Sequence, residues 1–269
     1  LPISGALTFA FNNEHTDYVN LAAWNAANIR RHLGIPVAIV TDCDPGNARV
    51  RGFDQVIEAN ASAGGTRWFE DYQDRVTWYN AGRTDCFDLT PWDQTLVLDA
   101  DYVVASNNLK LILDTSKDFL CFRKSYDLTR PMEPFLNSFG RGKFPMWWAT
   151  VMMFRKTNKT QFIFDSMKMI KANWHHYVDL YGIESLTYRN DYALSIALGI
   201  VYGHSLDVDA IPWPMPAALP EHTVECVDSD MYYISYRNSE NKEKYISIAG
   251  TDFHAMGKMN LEKIIASST

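Results

Sequence analysis

The sequence predicts an α/β fold with a mostly parallel, Rossmann-like sheet flanked by helices and a smaller, mixed C-terminal part. Short apolar runs alternate with amphipathic stretches over residues 1–125, which is typical of strands and helices that build a parallel sheet. A hydrophobic content of 47% and an aromatic content of 13% supply enough apolar side chains for a large core. A length of 269 residues fits one domain, so residues 1–269 are predicted to form a single unit.

The elements of the first half follow from these patterns in order. Residues 6–12 alternate as a strand does, and a helix from Thr16 carries an apolar stripe that Gly34 and Pro36 end. Further strands are predicted at 37–41, 55–57, 94–104 and 119–122, and further helices at 67–79 and 107–113.

The second half is less regular. Strands are predicted at 148–155, 232–236 and 245–248, and helices at 159–181, 190–202 and 261–266. The proline-rich run 211–216 is expected to be a stiff extended loop, because each proline fixes its own φ and disfavours helix in the residue before it.

Two aspartates at the end of a predicted strand form the first candidate site. Asp99 and Asp101 follow the apolar run that starts at Gln94, and ligands collect at the carboxyl ends of strands in open α/β sheets. Carboxylate oxygens suit Mg²⁺ or Mn²⁺ that carries substrate phosphates. The alternative is a pair of solvated aspartates in a turn.

Composition narrows the class of protein. No segment has the run of about 18 apolar residues that a membrane span needs, and no signal-peptide pattern is visible. The four cysteines (Cys43, Cys86, Cys121, Cys226) show no paired spacing, so free thiols and a cytoplasmic location are expected.

Charge is unevenly spread. The net charge is −7, whereas the segment 123–171 holds ten Lys or Arg against three acids, a local balance of +7. Trp147 and Trp148 lie within it, and such a segment can serve an anionic partner through charge and stacking. The alternative is a solvated helix face with two core tryptophans.

Two motifs stand out, Asp99-Ala100-Asp101 after an apolar strand and His254-Ala-Met-Gly257 far downstream. With these motifs the chain resembles glycosyltransferases of the GT-A fold, closest to family 8, the glycogenin and galactosyltransferase-like group. The resemblance implies metal-dependent transfer of a sugar from a UDP-sugar to a hydroxyl acceptor. It implies that Asp99, Asp101 and His254 hold Mn²⁺, or Mg²⁺, against the two phosphates. It also implies a nucleotide-binding half (1–125) and an acceptor half with a metal-binding tail (126–269).

The resemblance implies roles for further residues. Nucleotide contacts would come from Ala10, Phe11, Asn12, Asp42, Arg83 and Asp99, and diphosphate contacts from Gly257 and Lys258. Asp191 would act catalytically by orienting the sugar or its acceptor. The alternatives are a core position for Phe11 and a surface salt bridge between Arg83 and Asp85. For Asp191 the alternative is an acid at a helix N-terminus that only interacts favourably with the helix dipole.

The sequence departs from the family pattern in two places. The family lysine lies three residues beyond the motif glycine, where this chain has Asn260, whereas Lys258 follows Gly257 directly. The family's Phe-Asn-x-Gly strand is replaced by the apolar run 147–154, which implies a different acceptor. Retention or inversion of stereochemistry stays open.

The segments 11–22 and 253–258 also resemble small glycosyltransferase-like proteins of tailed bacteriophages, some of which glycosylate hydroxymethylated bases of their own DNA. That resemblance implies DNA as acceptor, with the basic segment 123–171 along the phosphates. A carbohydrate or small-molecule acceptor is the alternative. A nucleotidyltransferase and a non-catalytic sugar-binding module remain as other functions. Walker A, GxGxxG and GxSxG motifs are absent, which argues against an ATPase, an NAD enzyme and a serine hydrolase.

Overall fold

The computed structural model describes residues 4–69, 72–130, 135–205, 208–228 and 230–268. The predicted fold class is confirmed: a six-stranded, mostly parallel sheet is flanked by helices and joined to smaller sheets. The helices are α1 (Tyr18–Leu33), α2 (Cys86–Leu89), α3 (Lys110–Leu113), α4 (Asn158–Ala172), α5 (Trp174–Tyr181), α6 (Asn190–Val201) and α7 (Lys258–Ser268).

The strands of the first half are β1 (Ser4–Phe9), β2 (Val37–Thr41), β3 (Gln55–Glu58), β4 (Thr66–Phe69), β5 (Asp74–Thr77), β6 (Gln94–Asp99), β7 (Tyr102–Val103) and β8 (Phe119–Phe122). Those of the second half are β9 (Lys124–Asp127), β10 (Phe135–Leu136), β11 (Ser138–Phe139), β12 (Phe144–Pro145), β13 (Trp148–Arg155), β14 (Met215–Ala218), β15 (Thr223–Asp228), β16 (Met231–Arg237), β17 (Glu243–Ala249) and β18 (Phe253–Ala255).

The central sheet has the order β3-β2-β1-β6-β13-β8. Strands β1, β2, β3 and β6 run parallel, and β13 is antiparallel to both of its neighbours. Every residue of β2 is buried, as expected for a strand covered on both faces. The parallel strands therefore end at one edge, where Asp99 lies opposite Phe9.

A second, mixed sheet continues from that edge, with the order β10-β9-β14-β18-β7. The chain passes from β6 into β7 through Ala100, so the Asp-x-Asp segment is the link between the two sheets. Asn25 of α1 holds the outer edge of β7, since its side chain donates to the Tyr102 carbonyl at 2.6 Å and accepts from Val104 N–H at 3.2 Å. These bonds fix the position of the aspartates relative to α1.

The C-terminal region contains the antiparallel sheet β15-β16-β17, in which the two strands predicted at 232–236 and 245–248 pair with each other. Helix α7 packs on α1 and β15, and Asp17 N–H donates to Glu262 of α7 at 3.3 Å. The last strand, β18, lies between β14 and β7. The end of the described chain is thus bound into the region beside Asp101.

The predicted helix at 67–79 is wrong, because β4 and β5 form a hairpin there. Val76 of β5 is buried and pairs with Arg67 of β4. β-Branched and aromatic residues (Thr66, Trp68, Phe69, Val76, Thr77) favour a strand, and this preference outweighs the helical spacing.

Four other predicted elements differ from the structure. The predicted helix at 159–181 is divided at Asn173, whose φ of −116° and ψ of 33° leave the helical region. The predicted helix at 107–113 shortens to α3, while α7 begins at Lys258 instead of residue 261. The proline-rich run is partly a strand, since β14 starts at Met215 and pairs in parallel with β9 and β18.

None of the helices in the described ranges has the length and apolarity that crossing a bilayer requires. All four cysteines lie in those ranges and are free.

Candidate functional site

A cavity of about 280 Å³ opens where the central sheet meets the second sheet. Its wall includes Asp99 and Asp101 from the link between the sheets, His254 from β18, and Lys258 from α7. Asp191 and Arg83 line another part of it. The cavity therefore gathers residues that are far apart in the sequence at the carboxyl end of β6.

Asp99, Asp101 and His254 each present a ligand atom, and these atoms all lie within 4.8 Å of one another. Nε2 of His254 is 3.5 Å from Oδ2 of Asp101. The backbone brings the two residues together, because His254 pairs with Tyr102 and Ala255 N–H donates to the Asp101 carbonyl at 2.9 Å. The structure thus joins the three predicted metal ligands into one cluster.

Each aspartate also has a cationic partner. Arg83, with a side chain 2% exposed, donates to Asp99 at 2.5 Å. Lys258 forms an ion pair with Asp101 and donates to the Ala255 carbonyl at 3.3 Å. Arg83 therefore belongs to the cavity, and its partner among the described residues is Asp99, not Asp85 of the surface salt bridge alternative.

The two carboxyls differ in acidity. Burial raises the pKa of Asp99 to about 6, with Asp101 adding to the shift and Arg83 opposing it. Burial also acts to raise the pKa of Asp101, but Lys258 and His254 outweigh it and hold that pKa well below its usual range. At neutral pH, Asp101 is the more firmly ionised of the two.

The cluster fits a divalent cation. Two carboxylates and an imidazole are ligands that Mn²⁺ accepts, and carboxylate oxygens suit Mg²⁺. Nδ1 of His254 is buried and has no hydrogen-bond partner, so the ring is not held by a competing acceptor on that side. Metal–ligand distances of about 2.0–2.2 Å set ligand pairs at most about 4.4 Å apart, so small side-chain movements would complete the set.

Asp191 lies at the start of α6, and each of its carboxylate oxygens accepts one hydrogen bond from the protein. Its Oδ1 accepts from Ala149 N–H at 2.9 Å and its Oδ2 from Arg189 at 3.0 Å. Burial acts to raise the pKa of Asp191, but Arg189 and the Ala149 N–H outweigh it and keep the pKa below its ordinary value. Asp191 is thus a fixed carboxylate that lines the cavity, as its predicted role near the sugar requires.

Sequence reasoning missed one wall of the cavity. The β4–β5 hairpin and the residues after it contribute Arg67 and Trp78, and Tyr18 comes from the start of α1. The guanidinium of Arg67 lies 3.9 Å from the centre of the Trp78 ring. The aromatic and β-branched residues between Thr66 and Tyr79 favour strands and were the available signal, but the segment was predicted to be a helix.

Of the remaining predicted site residues, some line the cavity and others do not. Phe11 is buried and also lines the cavity. Asn12 binds the start of α1, accepting from Val19 N–H at 3.0 Å and donating to Asp17 at 2.9 Å. The predicted contacts that are not among the lining residues are Ala10, Asn12, Asp42 and Gly257.

Two cations of the basic segment 123–171, Arg155 and Lys156, are bound to backbone carbonyls. Arg155 donates to the Thr115 carbonyl at 2.6 Å and Lys156 to the Thr90 carbonyl at 2.9 Å. Arg155 pairs with Gln94 at the start of β6, whereas Asp99 is at its other end. Trp147 and Trp148 are buried, and Trp148 contributes to the cavity wall.

No protein-family model and no curated protein sequence matches this chain. Several solved structures share its general architecture. The glycosyltransferase GlyE of Streptococcus pneumoniae TIGR4 is 10% identical over 78% of this chain, with a TM-score of 0.44. The galactosyltransferase LgtC in complex with donor and acceptor sugar analogues is 14% identical over 72% of this chain and 70% of its own, with a TM-score of 0.46. Mouse xyloside xylosyltransferase 1 is 12% identical over 76% of this chain and 85% of its own, with a TM-score of 0.43.

The chain spans only 45% of the length of GlyE. Likeness at these identities concerns architecture, so the function of this chain has to rest on the residues of its own cavity.

Proposed function

We propose that the protein is a metal-dependent glycosyltransferase that transfers a sugar from a UDP-sugar to a hydroxyl group. The observation that carries this proposal is the meeting of Asp99, Asp101 and His254 in one cavity at the end of a parallel strand. A cavity at such a strand end is where α/β folds bind nucleotides. The same cavity holds the cations that a diphosphate would need.

Asp99, Asp101 and His254 would hold Mn²⁺ or Mg²⁺. The bound ion would supply Lewis-acid stabilisation of the negative charge on the departing diphosphate. Arg83 orients the Asp99 carboxylate through its 2.5 Å hydrogen bond. The Nη2 atom of Arg83 is 3.5 Å from the Thr150 carbonyl, which helps to hold the arginine itself. The Lys258 ammonium pairs with Asp101, and with a divalent ion held at Asp101 it would be available to bind a phosphate.

Asp191 is proposed to accept hydrogen bonds from sugar hydroxyls. Both of its oxygens already accept one bond each from the protein, and each carboxylate oxygen has further lone-pair capacity. Its lowered pKa suits an acceptor that stays ionised, and disfavours a role as proton donor.

A carbohydrate or small hydroxylated molecule is the acceptor that we favour. Arg155 and Lys156 use their charges on carbonyls away from the cavity, and the buried Trp147 cannot stack on an exposed base. A hydroxymethylated base in phage DNA is the second candidate, and the exposed Arg141 and Lys143 are the cations that it would use.

The test is release of UDP from UDP-glucose, UDP-galactose, UDP-xylose and UDP-glucuronate, with and without Mn²⁺, for the parent protein and Asp101→Asn. Many glycosyltransferases hydrolyse their donor slowly, so no acceptor is needed. Metal-dependent release from at least one donor, lowered at least a hundredfold in the variant, is expected. Asp74→Asn, on the exposed hairpin strand β5, is the control that should keep the parent rate.

Two results would count against this function. Release that is equal with and without Mn²⁺ would remove the metal from the proposal. If neither UDP nor Mn²⁺ changes the melting temperature and no donor is cleaved, the glycosyltransferase assignment fails, and a nucleotidyltransferase or a sugar-binding module becomes the better hypothesis.

A further inference from the structure

A cationic pair lies in the part of the cavity that faces Asp191. Arg67, from β4, and Arg189, next to α6, both line the cavity. Arg189 uses Asp191 as its partner, at 3.0 Å. Arg67 donates to the Tyr188 carbonyl at 3.4 Å, and no carboxylate of the described residues lies within ion-pair distance of it. Within the described part of the chain, one positive charge on this wall is therefore left without a counterion.

The surroundings keep that charge in place. The Arg67 guanidinium lies over the Trp78 ring, 3.9 Å from its centre, and its Nε is buried without a hydrogen-bond partner among the described residues. Burial and the nearby Arg189 lower the pKa of Arg67 to about 10, so the group is still charged at neutral pH. Arg67 as a whole is half-buried, but a buried donor such as its Nε is costly to leave unpaired unless a ligand satisfies the group.

The charge balance of the whole cavity points the same way. Its wall carries four cationic side chains (Arg67, Arg83, Arg189, Lys258) and three carboxylates (Asp99, Asp101, Asp191). A divalent ion and the two negative charges of a nucleotide diphosphate would cancel each other, which leaves one positive charge in excess. Arg67 is the cation of the four that has no carboxylate partner among the described residues.

From these contacts, and on the basis of the function proposed above, we infer that Arg67, supported by Arg189, binds an oxyanion of a sugar substrate: a carboxylate or a phosphate. The planar guanidinium can give two parallel hydrogen bonds to such a group. Asp191, on the same wall, would take the hydroxyls of that sugar. The substrate class is thus a negatively charged sugar, either in the donor or in the acceptor.

The experiment measures binding by calorimetry in the presence of Mn²⁺. In the donor arm, UDP-glucuronate and UDP-galacturonate are compared with UDP-glucose and UDP-galactose. In the acceptor arm, glucose 6-phosphate and glucuronate are compared with glucose in the presence of UDP. The variants are Arg67→Gln, Arg67→Lys and the control Arg75→Gln, which changes an exposed arginine of the same hairpin.

In one arm, the parent protein should bind the charged sugar at least tenfold more tightly than its neutral counterpart. Arg67→Gln should weaken binding of the charged ligand at least tenfold more than binding of the neutral one, Arg67→Lys should restore part of that difference, and Arg75→Gln should behave as the parent. The arm that responds identifies the source of the oxyanion.

The inference is overturned if UDP binds but charged and neutral sugars bind equally in both arms, or if Arg67→Gln weakens both kinds of ligand equally. Absence of UDP binding in the parent protein is a different result: it removes the proposed function, and the inference falls with it.

Discussion

Asp101 is held by Lys258 and His254, and this contact links α7 to the Asp-x-Asp segment. A buried carboxylate that loses its cation typically costs about 3–5 kcal/mol. Lys258→Met is therefore expected to lower the free energy of unfolding by about 2–4 kcal/mol without metal, measured by urea denaturation. Lys263→Met, an exposed position on the same helix, is the control.

Added Mn²⁺ should return part of the stability that Lys258→Met removes, because a divalent ion at Asp101 replaces the missing positive charge. Equal loss of stability with and without Mn²⁺ would show that the carboxylate cluster does not bind the ion.

Arg83 and Asp99 form the second buried pair of the cavity. Arg83→Met leaves Asp99 without its main partner, so unfolding free energy should fall by about 2–3 kcal/mol. The double variant with Asp99→Asn should lose less than the sum of the single variants, giving a coupling of about 1–2 kcal/mol in a double-mutant cycle. Simple additivity would mean that the two side chains act independently.

His222, which is not part of the Asp99–Asp101–His254 cluster, makes the free energy of unfolding depend on pH. Burial lowers the pKa of this histidine, with Asp127 opposing, and Nδ1 accepts from Leu219 N–H at 3.1 Å, which requires a neutral ring. Because the folded pKa lies below the unfolded value of about 6.5, the contribution is fully present above that pH. It is lost as pH falls through 6.5 toward the folded pKa.

Urea denaturation of the parent and His222→Asn between pH 8 and pH 5 measures this term. The asparagine oxygen can still accept the Leu219 N–H but does not titrate, so the stability advantage of the parent should shrink as pH falls. A constant difference over the range would contradict the neutral ring.

Among the elements, β1 depends on a close approach at Gly5. A Cβ built there would lie 2.3 Å from the Trp92 ring, which is itself buried. Gly5→Ala should therefore lower the unfolding free energy by about 1–3 kcal/mol through overpacking. Gly52→Ala, where nothing lies within 4 Å, is the matched control and should be close to neutral in the same denaturation experiment.

Elements with strong local patterns were predictable from sequence. The buried apolar run of β6 predicts a strand and the apolar stripe of α1 predicts a helix. Asp99 and Asp101 could be identified as a candidate site because they lie at the end of β6. The β4–β5 hairpin was not predicted, since its apolar spacing fits a helix as well as a strand and its pairing depends on contacts made elsewhere. Arg67 was missed for the same reason, whereas His254 was found through its motif.

At the scale of the whole molecule, several cations of segment 123–171 are used in contacts within the protein. Arg155 donates hydrogen bonds to the Leu113 and Thr115 carbonyls near the start of β6, while Lys168 pairs with Asp85, Asp88 and Asp165. Arg155→Ala should therefore lower the unfolding free energy by about 1–2 kcal/mol and leave affinity for DNA and its salt dependence unchanged.

Gel-shift titrations at several salt concentrations, beside urea denaturation, measure both quantities for Arg155→Ala and for Arg141→Ala as the exposed comparison. A fall in DNA affinity with Arg155→Ala alone would mean that the start of β6 faces nucleic acid, and would return DNA to first place among the acceptors.

The position of β18 between β14 and β7 has a consequence for the time at which the site comes into being. His254 and Lys258 follow Asp99 and Asp101 by about 150 residues, so they leave the ribosome later. Contacts of such long sequence separation form late and slowly. A growing chain thus holds two acidic side chains without their partners while about 150 further residues are made, and the three predicted metal ligands meet only when β18 inserts between β14 and β7.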